Sequence, residues 1–337
     1  MRGSRGAALT PKVRCLAFGA ARQVSLLCCF TRFPAAMPTF LRELIRPAAD
    51  LPQADVCLVG LPLDHGTVLE GGRAGAVGAP AAIRRELRRY HKTYNLEHNV
   101  RLDELRIADA GDIACPTTPY DHAAHHQRIR ERVGELLGQY PRVVVLGGSH
   151  DGTYSTVRGL FDATGQQPVG GINLDAHADV KHRADLGSGT PYGKLLREGV
   201  VAGSRFTEIG LHSNLNTFED IDFLHQQQAT IVPLAHVQQH GMPLFMERAL
   251  HRAAAPAFVS FDTDAVAQAF APAVSAPSSD GLTPRQATEA AFLAGKQAGV
   301  RLFEVVEFNP VFDRDFMTAR LAATIITAFL TGVAAGR

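Results

Sequence analysis

Three short apolar runs in this chain each end in a cluster of Asp, His or both. Arg142 to Leu146, almost wholly β-branched, leads into Gly147-Gly148-Ser149-His150. Val169 to Leu174 leads into Asp175-Ala176-His177-Ala178-Asp179, and Ala257 to Phe261 leads into Asp262-Thr263-Asp264. Runs of this length and β-branched content read as strands buried on both faces. The polar clusters then lie just beyond the carboxyl ends of strands, where open α/β sheets build their sites.

The rest of the chain keeps the same alternation. Strands are expected at Asp55 to Leu61, Leu105 to Asp109, Phe206 to Leu211, Ala229 to Leu234 and Leu302 to Val306. Helices are expected at Ala81 to Tyr90, Tyr120 to Tyr140, Pro243 to Ala254, from Pro284 to about Ala298, and from Phe316 to Leu330. Thr283 is the natural N-cap of the fourth, with Pro284 at its first position. Strands alternating with helices imply a mostly parallel sheet covered on both faces, a three-layer α/β/α sandwich. No repeat or linker divides the body, so residues 50–335 read as one catalytic domain. No Gly-x-Gly-x-x-Gly joins a strand to a helix, which argues against a dinucleotide site. The Arg84, Arg85, Arg88 and Arg89 run reads as a solvated helix face.

A formal net charge of +1 lacks the clustered basic surface that nucleic acid requires. The body carries only Cys57 and Cys115, which is no disulfide framework. Residues 1–40 differ from the body. They contain no Asp or Glu, carry Arg2, Arg5, Lys12, Arg14, Arg22 and Arg32, and hold Cys15, Cys28 and Cys29. The segment reads as a disordered extension, either a mitochondrial transit peptide or an upstream start ahead of Met37. The first reading implies a mitochondrial protein and the second a cytoplasmic one. The apolar stretch Val24 to Phe30 is too short to span a bilayer, and no membrane partner is expected.

Asp175, His177 and Asp179 alternate, so a strand would point all three to one face, and Asp262 and Asp264 share a face by the same period. Carboxylates crowded with imidazoles are costly unless something positive compensates them. With His150 they form a candidate metal set of four Asp and two His. Such a set favours Mn²⁺, with Ni²⁺, Co²⁺ or Fe²⁺ as alternatives. Two ions sharing a water would generate hydroxide near neutral pH. With no phosphate-binding loop, attack at carbon is the expected chemistry, on a small-molecule substrate.

At these residues the chain resembles the ureohydrolase family, which includes arginase, agmatinase and formimidoylglutamase. The metal segments, the Gly71-to-Ala81 run, the Asp109 to Asp112 turn and Glu307-Phe308-Asn309-Pro310 occur in the family's order. The resemblance implies an arginase-like fold and two Mn²⁺ per subunit. One would be held by His150, Asp175, Asp179 and Asp262, the other by Asp175, His177, Asp262 and Asp264. It implies that Asp179 holds the bridging hydroxide and passes a proton to the leaving amine, and that Glu307 faces the amidine or guanidine group. A homo-oligomer, trimer or hexamer, is also implied.

Within the family, Ser188 to Tyr192, Ala271 to Pro277 and Asn309 to Asp315 are most similar to formimidoylglutamases. Val266-Ala267-Gln268 replaces the Leu-Asp-Pro usual in arginases and agmatinases, and Thr190-Pro191-Tyr192 stands where arginases place a His-Gly pair. The implied reaction is N-formimidoyl-L-glutamate plus water to L-glutamate and formamide, a step of histidine degradation. The alternatives are a guanidino-substrate hydrolase releasing urea and a non-catalytic subunit. Lys181 and Arg183 are candidate partners for substrate carboxylates, and Ser213, Asn214 and Asn216 for substrate hydrogen bonds.

Overall fold

A computed structural model describes residues 40–337. Residues 1–39, and with them the transit-peptide and upstream-start readings, lie outside the described residues. The strands are β1 Ile45–Pro47, β2 Val56–Gly60, β3 Tyr94–Asn95, β4 Val100–Arg101, β5 Ile107–Asp112, β6 Val143–Leu146, β7 Val169–Leu174, β8 Val201–Leu211, β9 Thr230–Pro233, β10 Ala257–Asp262 and β11 Val300–Val306. Nine form one sheet in the order β1-β5-β2-β6-β11-β10-β7-β8-β9, and every pairing in it is parallel. β3 and β4 make a separate antiparallel pair.

Alternation along the central strands sends side chains to two buried faces. Val144 and Leu146 join one apolar cluster and Val143 and Val145 the other. The first face is covered by helices Ala79–Tyr90, Met242–Ala253, Pro284–Lys296 and Met317–Ala335. The second is covered by His122–Gln139, Gly152–Ala163 and Pro191–Arg197. This is the three-layer sandwich that the alternation implied. Met317–Ala335 is long and apolar enough to cross a bilayer, but about two-thirds of it is buried in the protein. It crosses Pro284–Lys296 so closely that a Cβ on Gly332 would lie 2.1 Å from the Phe292 carbonyl oxygen.

The structure departs from the sequence expectations in informative places. The sheet takes in residues ahead of position 50, because Ile45, Arg46 and Pro47 pair with Ile107, Ala108 and Asp109. A three-residue strand ending in Pro carries no periodic signal. β8 starts five residues earlier than its apolar run, in Val201-Ala202-Gly203-Ser204-Arg205. Helix Gly152–Ala163 has no counterpart in the sequence reading, since its first turns are Gly-Thr-Tyr-Ser-Thr and helix propensity there is poor. The Arg run is not a purely solvated face. Arg84 donates from Nη2 to Asp109 Oδ1 at 2.9 Å and to the Gly111 carbonyl at 2.8 Å, and also pairs with Asp112. Asp109 to Asp112 is not a turn but the end of β5, and Arg84 clamps it to the first long helix.

Candidate metal centre

β6, β11, β10 and β7 are consecutive neighbours in the middle of the sheet. Being parallel, they present their carboxyl ends along one edge. His150 follows β6, Glu307 follows β11, Asp262 ends β10, and Asp175 follows β7. Glycine steers the first of these. Gly147 N–H donates to the Val305 carbonyl at 2.7 Å, and a Cβ on Gly148 would lie 2.3 Å from the Leu61 carbonyl oxygen. Only a residue without a side chain lets the chain turn there and deliver His150.

The Asp-x-His-x-Asp segment is not a strand. β7 ends at Leu174, so strand alternation does not explain the convergence. Two local turns do. Asp175 Oδ1 accepts from His177 N–H at 2.7 Å, and Asp262 Oδ1 accepts from Asp264 N–H at 2.7 Å. In each, the carboxylate curls the chain over itself and brings the residue two positions on back beside it. Asp179 then takes the left-handed conformation with φ +49°, as does Glu307 at +61°. Such backbone is uncommon for non-glycine residues and gathers at functional sites.

The six residues converge as two groups, His150, Asp175, Asp179 and Asp262 in one, Asp175, His177 and Asp264 in the other. His150 Nδ1 lies 2.9, 3.0 and 3.3 Å from Oδ2 of Asp179, Asp262 and Asp175. His177 Nδ1 lies 3.3 Å from Asp264 Oδ2 and 3.5 Å from Asp175 Oδ1. The second group lacks Asp262, the fourth ligand that the resemblance implied, and Asp262 Oδ1 is engaged by Asp264 N–H.

The electrostatics ask for a cation. Three buried carboxylates and the partly buried Asp179 face two imidazoles. Burial, and then the neighbouring carboxylates, push the Asp262, Asp179 and Asp264 carboxyls up. Burial acts the same way on Asp175, but the His150 and His177 hydrogen bonds overcome it and hold this carboxyl down. Against the opposing effect of burial, Tyr192 and then these carboxylates hold the His150 imidazole well above its ordinary range, and Asp264 and Asp175 do the same for His177. His150 Nδ1 and Asp264 Oδ1 are also buried without a well-formed hydrogen bond. An oxygen-rich set with imidazole and no thiolate suits Mn²⁺-class divalent ions, which would supply the missing positive charge in place of protons. The residues therefore fit such a metal.

Neighbouring side chains orient the donors. Tyr192 OH donates to Asn173 Oδ1 at 3.0 Å, which leaves its oxygen to accept from His150 Nε2 at 3.0 Å. Nε2 thereby keeps its proton, and with a metal bound Nδ1 would be the nitrogen that gives up its proton and ligates. Asn173 closes the ring by donating to Asp175 Oδ2 at 3.1 Å. Tyr192 and Asn173 carried no such signal in sequence, although Asn173 stands two residues before Asp175.

A cavity of about 350 Å³ opens above this floor. Glu307 lines it, and burial pushes its carboxyl up to about 8. Its Oε1 is fixed by Thr67 Oγ1 at 3.0 Å and His150 N–H at 2.7 Å. At the mouth, Lys181 Nζ and Arg183 Nη1 both reach Glu70 Oε2, at 3.0 and 3.2 Å. Lys181 and Glu70 line the cavity and Arg183 does not. Ser213 and Asn214 are exposed and outside the lining, so the structure does not bring them to the cavity. Their neighbours Leu215 and Asn216 line it instead. Asn216 braces the metal-binding loop by accepting from Ala178 N–H at 2.7 Å and donating to the Ala176 carbonyl at 3.1 Å.

A parallel α/β sheet with a carboxylate–imidazole centre at its carboxyl edge defines a metal-dependent hydrolase. The arginase family model matches residues 54–332, and the chain belongs to the arginase family. Its members hydrolyse linear amidines, and this chain is such an enzyme. Formimidoylglutamase of Halalkalibacterium halodurans is 30% identical over 282 residues, covering 82% of this chain and 86% of that protein. The mitochondrial agmatinase of Gallus gallus is 30% identical over 310 residues, covering 89% and 87%. Formiminoglutamase of Trypanosoma cruzi, solved with Mn²⁺, superposes with a TM-score of 0.82 at 31% identity, covering 88% of this chain and 99% of that one.

Proposed function

We propose that the protein hydrolyses N-formimidoyl-L-glutamate to L-glutamate and formamide at a centre of two Mn²⁺ ions. The observation that carries the reading is the pairing of a carboxylate-and-imidazole floor with two cations, Lys181 and Arg183, at its rim. The substrate has a complementary polarity, an amidine head and a dicarboxylate tail.

Two divalent ions held by His150, Asp175, Asp179, Asp262, His177 and Asp264 would lower the pKa of a shared water and polarise the reacting group. The protein's own residues do the rest. The cationic amidine would favour the ionised form of Glu307, whose carboxylate then pairs with the planar N–H groups and aligns the amidine carbon over the floor. Asp179 accepts the proton of the attacking water and returns it to the departing glutamate nitrogen. The bond that forms is carbon to oxygen, and the bond that breaks joins the formimidoyl carbon to that nitrogen. Lys181 takes a substrate carboxylate in place of Glu70.

A second reading rests on Glu70 and Asp220, two acids in the same lining. They leave little net positive charge for a dicarboxylate and favour a guanidino acid with a single carboxylate, which would release urea. Product analysis decides between the two. Mn²⁺-loaded protein is given N-formimidoyl-L-glutamate, 4-guanidinobutyrate, arginine and agmatine in parallel. Formamide and glutamate from the first alone support the leading reading, and urea from any of the others replaces it. A trimer or hexamer in solution belongs to the same proposal and is checked by light scattering.

A further inference from the structure

His122 and His126 stand one turn apart at the start of helix His122–Gln139, so one face of the helix presents both rings. Neither belongs to the centre described above. Their Nε2 atoms converge on one oxygen of a third residue, Asp151 Oδ2, at 3.7 Å from His122 and 2.9 Å from His126. One donor atom from each of the three lies within 4.8 Å of the others. Asp151 follows His150 in sequence, but its carboxylate joins this separate group.

The surroundings are arranged as they are around metal-binding imidazoles. His126 Nδ1 is bonded to Ser155 Oγ at 2.8 Å, and His122 Nδ1 to Tyr120 OH at 3.2 Å. The outer nitrogen of each ring thus has a hydroxyl partner; the inner nitrogen of His126 is bonded to the carboxylate, and that of His122 lies beside it while bonded to the Leu186 carbonyl. Asp151 is fully buried, with Oδ1 held by the Ser149 hydroxyl and Oδ2 left to the imidazoles. A single protonated imidazole would neutralise that carboxylate, so the second ring is surplus to an ion pair. His65 brings a third imidazole, its ring centre 4.6 Å from that of His122. Two imidazoles, one carboxylate and an open position form a donor set suited to Zn²⁺ and neighbouring borderline metals.

We propose that His122, His126 and Asp151 form a further divalent-cation site of the zinc class, distinct from the carboxylate-rich centre. Coordination at His122 Nε2 replaces its present hydrogen bond to the Leu186 carbonyl at 2.9 Å. That segment continues to Ser188 and Gly189 in the cavity lining, so the site touches the frame of the active-site mouth.

The test uses the full chain loaded with Mn²⁺ and dialysed against rising Zn²⁺ with Mn²⁺ in excess, both metals being counted. The expected result is one Zn²⁺ per subunit above an unchanged Mn²⁺ content. His122→Gln and His126→Gln should each weaken that uptake at least about tenfold, with Mn²⁺ content unchanged. Zinc that enters only by displacing manganese, or that binds the variants as well as the parent, overturns the proposal. Anomalous diffraction at the zinc edge from the unmutated protein needs no variant. A peak between His122, His126 and Asp151 supports the site, and its absence at saturating Zn²⁺ sinks it. Failure of the hydrolase reading would register elsewhere, as missing metal at Asp175 and Asp262.

Discussion

The floor and the mouth of the cavity are built in different ways. The floor rests on four adjacent parallel strands, its donors are mostly buried, and two of them are held from behind, His150 by Tyr192 and Asp175 by Asn173. The mouth is made of loops. Lys181 and Arg183 are about half exposed, and both lean on one carboxylate, Glu70. On the proposed reading, pre-organised donors set the chemistry and adjustable charges set which tail is accepted. This division fits a chain about 30% identical to proteins called formimidoylglutamase and agmatinase alike.

If the floor carries the chemistry, the largest effect comes from a residue shared by both donor groups. Asp175→Ala should lower kcat by at least about a thousandfold, because metal-assisted charge stabilisation supplies several kcal/mol. Metal analysis should show manganese content falling with it. An active Asp175→Ala protein with full metal would break the assignment of the floor. Glu307→Gln comes next, with a loss of roughly a hundredfold in kcat/KM, the upper range for a hydrogen bond to a charged group. Its metal content should stay at the parent level, and a loss of metal would instead make Glu307 part of the metal's own support.

Tyr192→Phe examines the second layer of the floor. It removes the hydroxyl that accepts from His150 Nε2 and donates to Asn173. Manganese affinity should fall by about ten- to a hundredfold. Saturating manganese should restore most of kcat, which separates positioning of His150 from a part in the chemistry. Unchanged affinity would show that Asp175, Asp179 and Asp262 hold His150 without the phenol.

The floor was largely legible in sequence because short apolar runs and their polar ends are local patterns. The reason its residues converge was not. An alternating Asp-x-His-x-Asp looks like a strand, yet the chain leaves the strand at Leu174 and Asp175 captures the His177 N–H. The two geometries share a spacing of two residues, so spacing alone does not separate them. The mouth was only partly legible. Lys181 and Arg183 stood out as charges, but their common partner Glu70 lies 111 residues from Lys181. Ser213, Asn214 and Asn216 looked alike as polar loop residues, and only the folded loop shows that Asn216 alone of the three lines the cavity. The His122, His126 and Asp151 group shows the same limit, because a helix and a strand end meet there across 25 residues between His126 and Asp151.

The mouth gives the smallest and most discriminating prediction. Glu70→Gln frees Lys181 and Arg183 from their shared carboxylate, while Lys181→Met removes the cation that lines the cavity. For a substrate whose carboxylate is taken by Lys181, KM should fall in the first variant and rise in the second, with kcat nearly constant in both. Partly exposed ion pairs are worth up to about 1 kcal/mol, so each shift should be about fivefold or less. Steady-state kinetics on N-formimidoyl-L-glutamate and on 4-guanidinobutyrate, measured side by side, would read it. Opposite shifts for the substrate with two carboxylates and none for the other would assign tail selection to Lys181. Equal shifts for both would mean that the mouth senses charge without counting carboxylates. Selection would then fall to Asn216 and to Asp220, in the first turn of the helix Phe218–Gln226 that follows it.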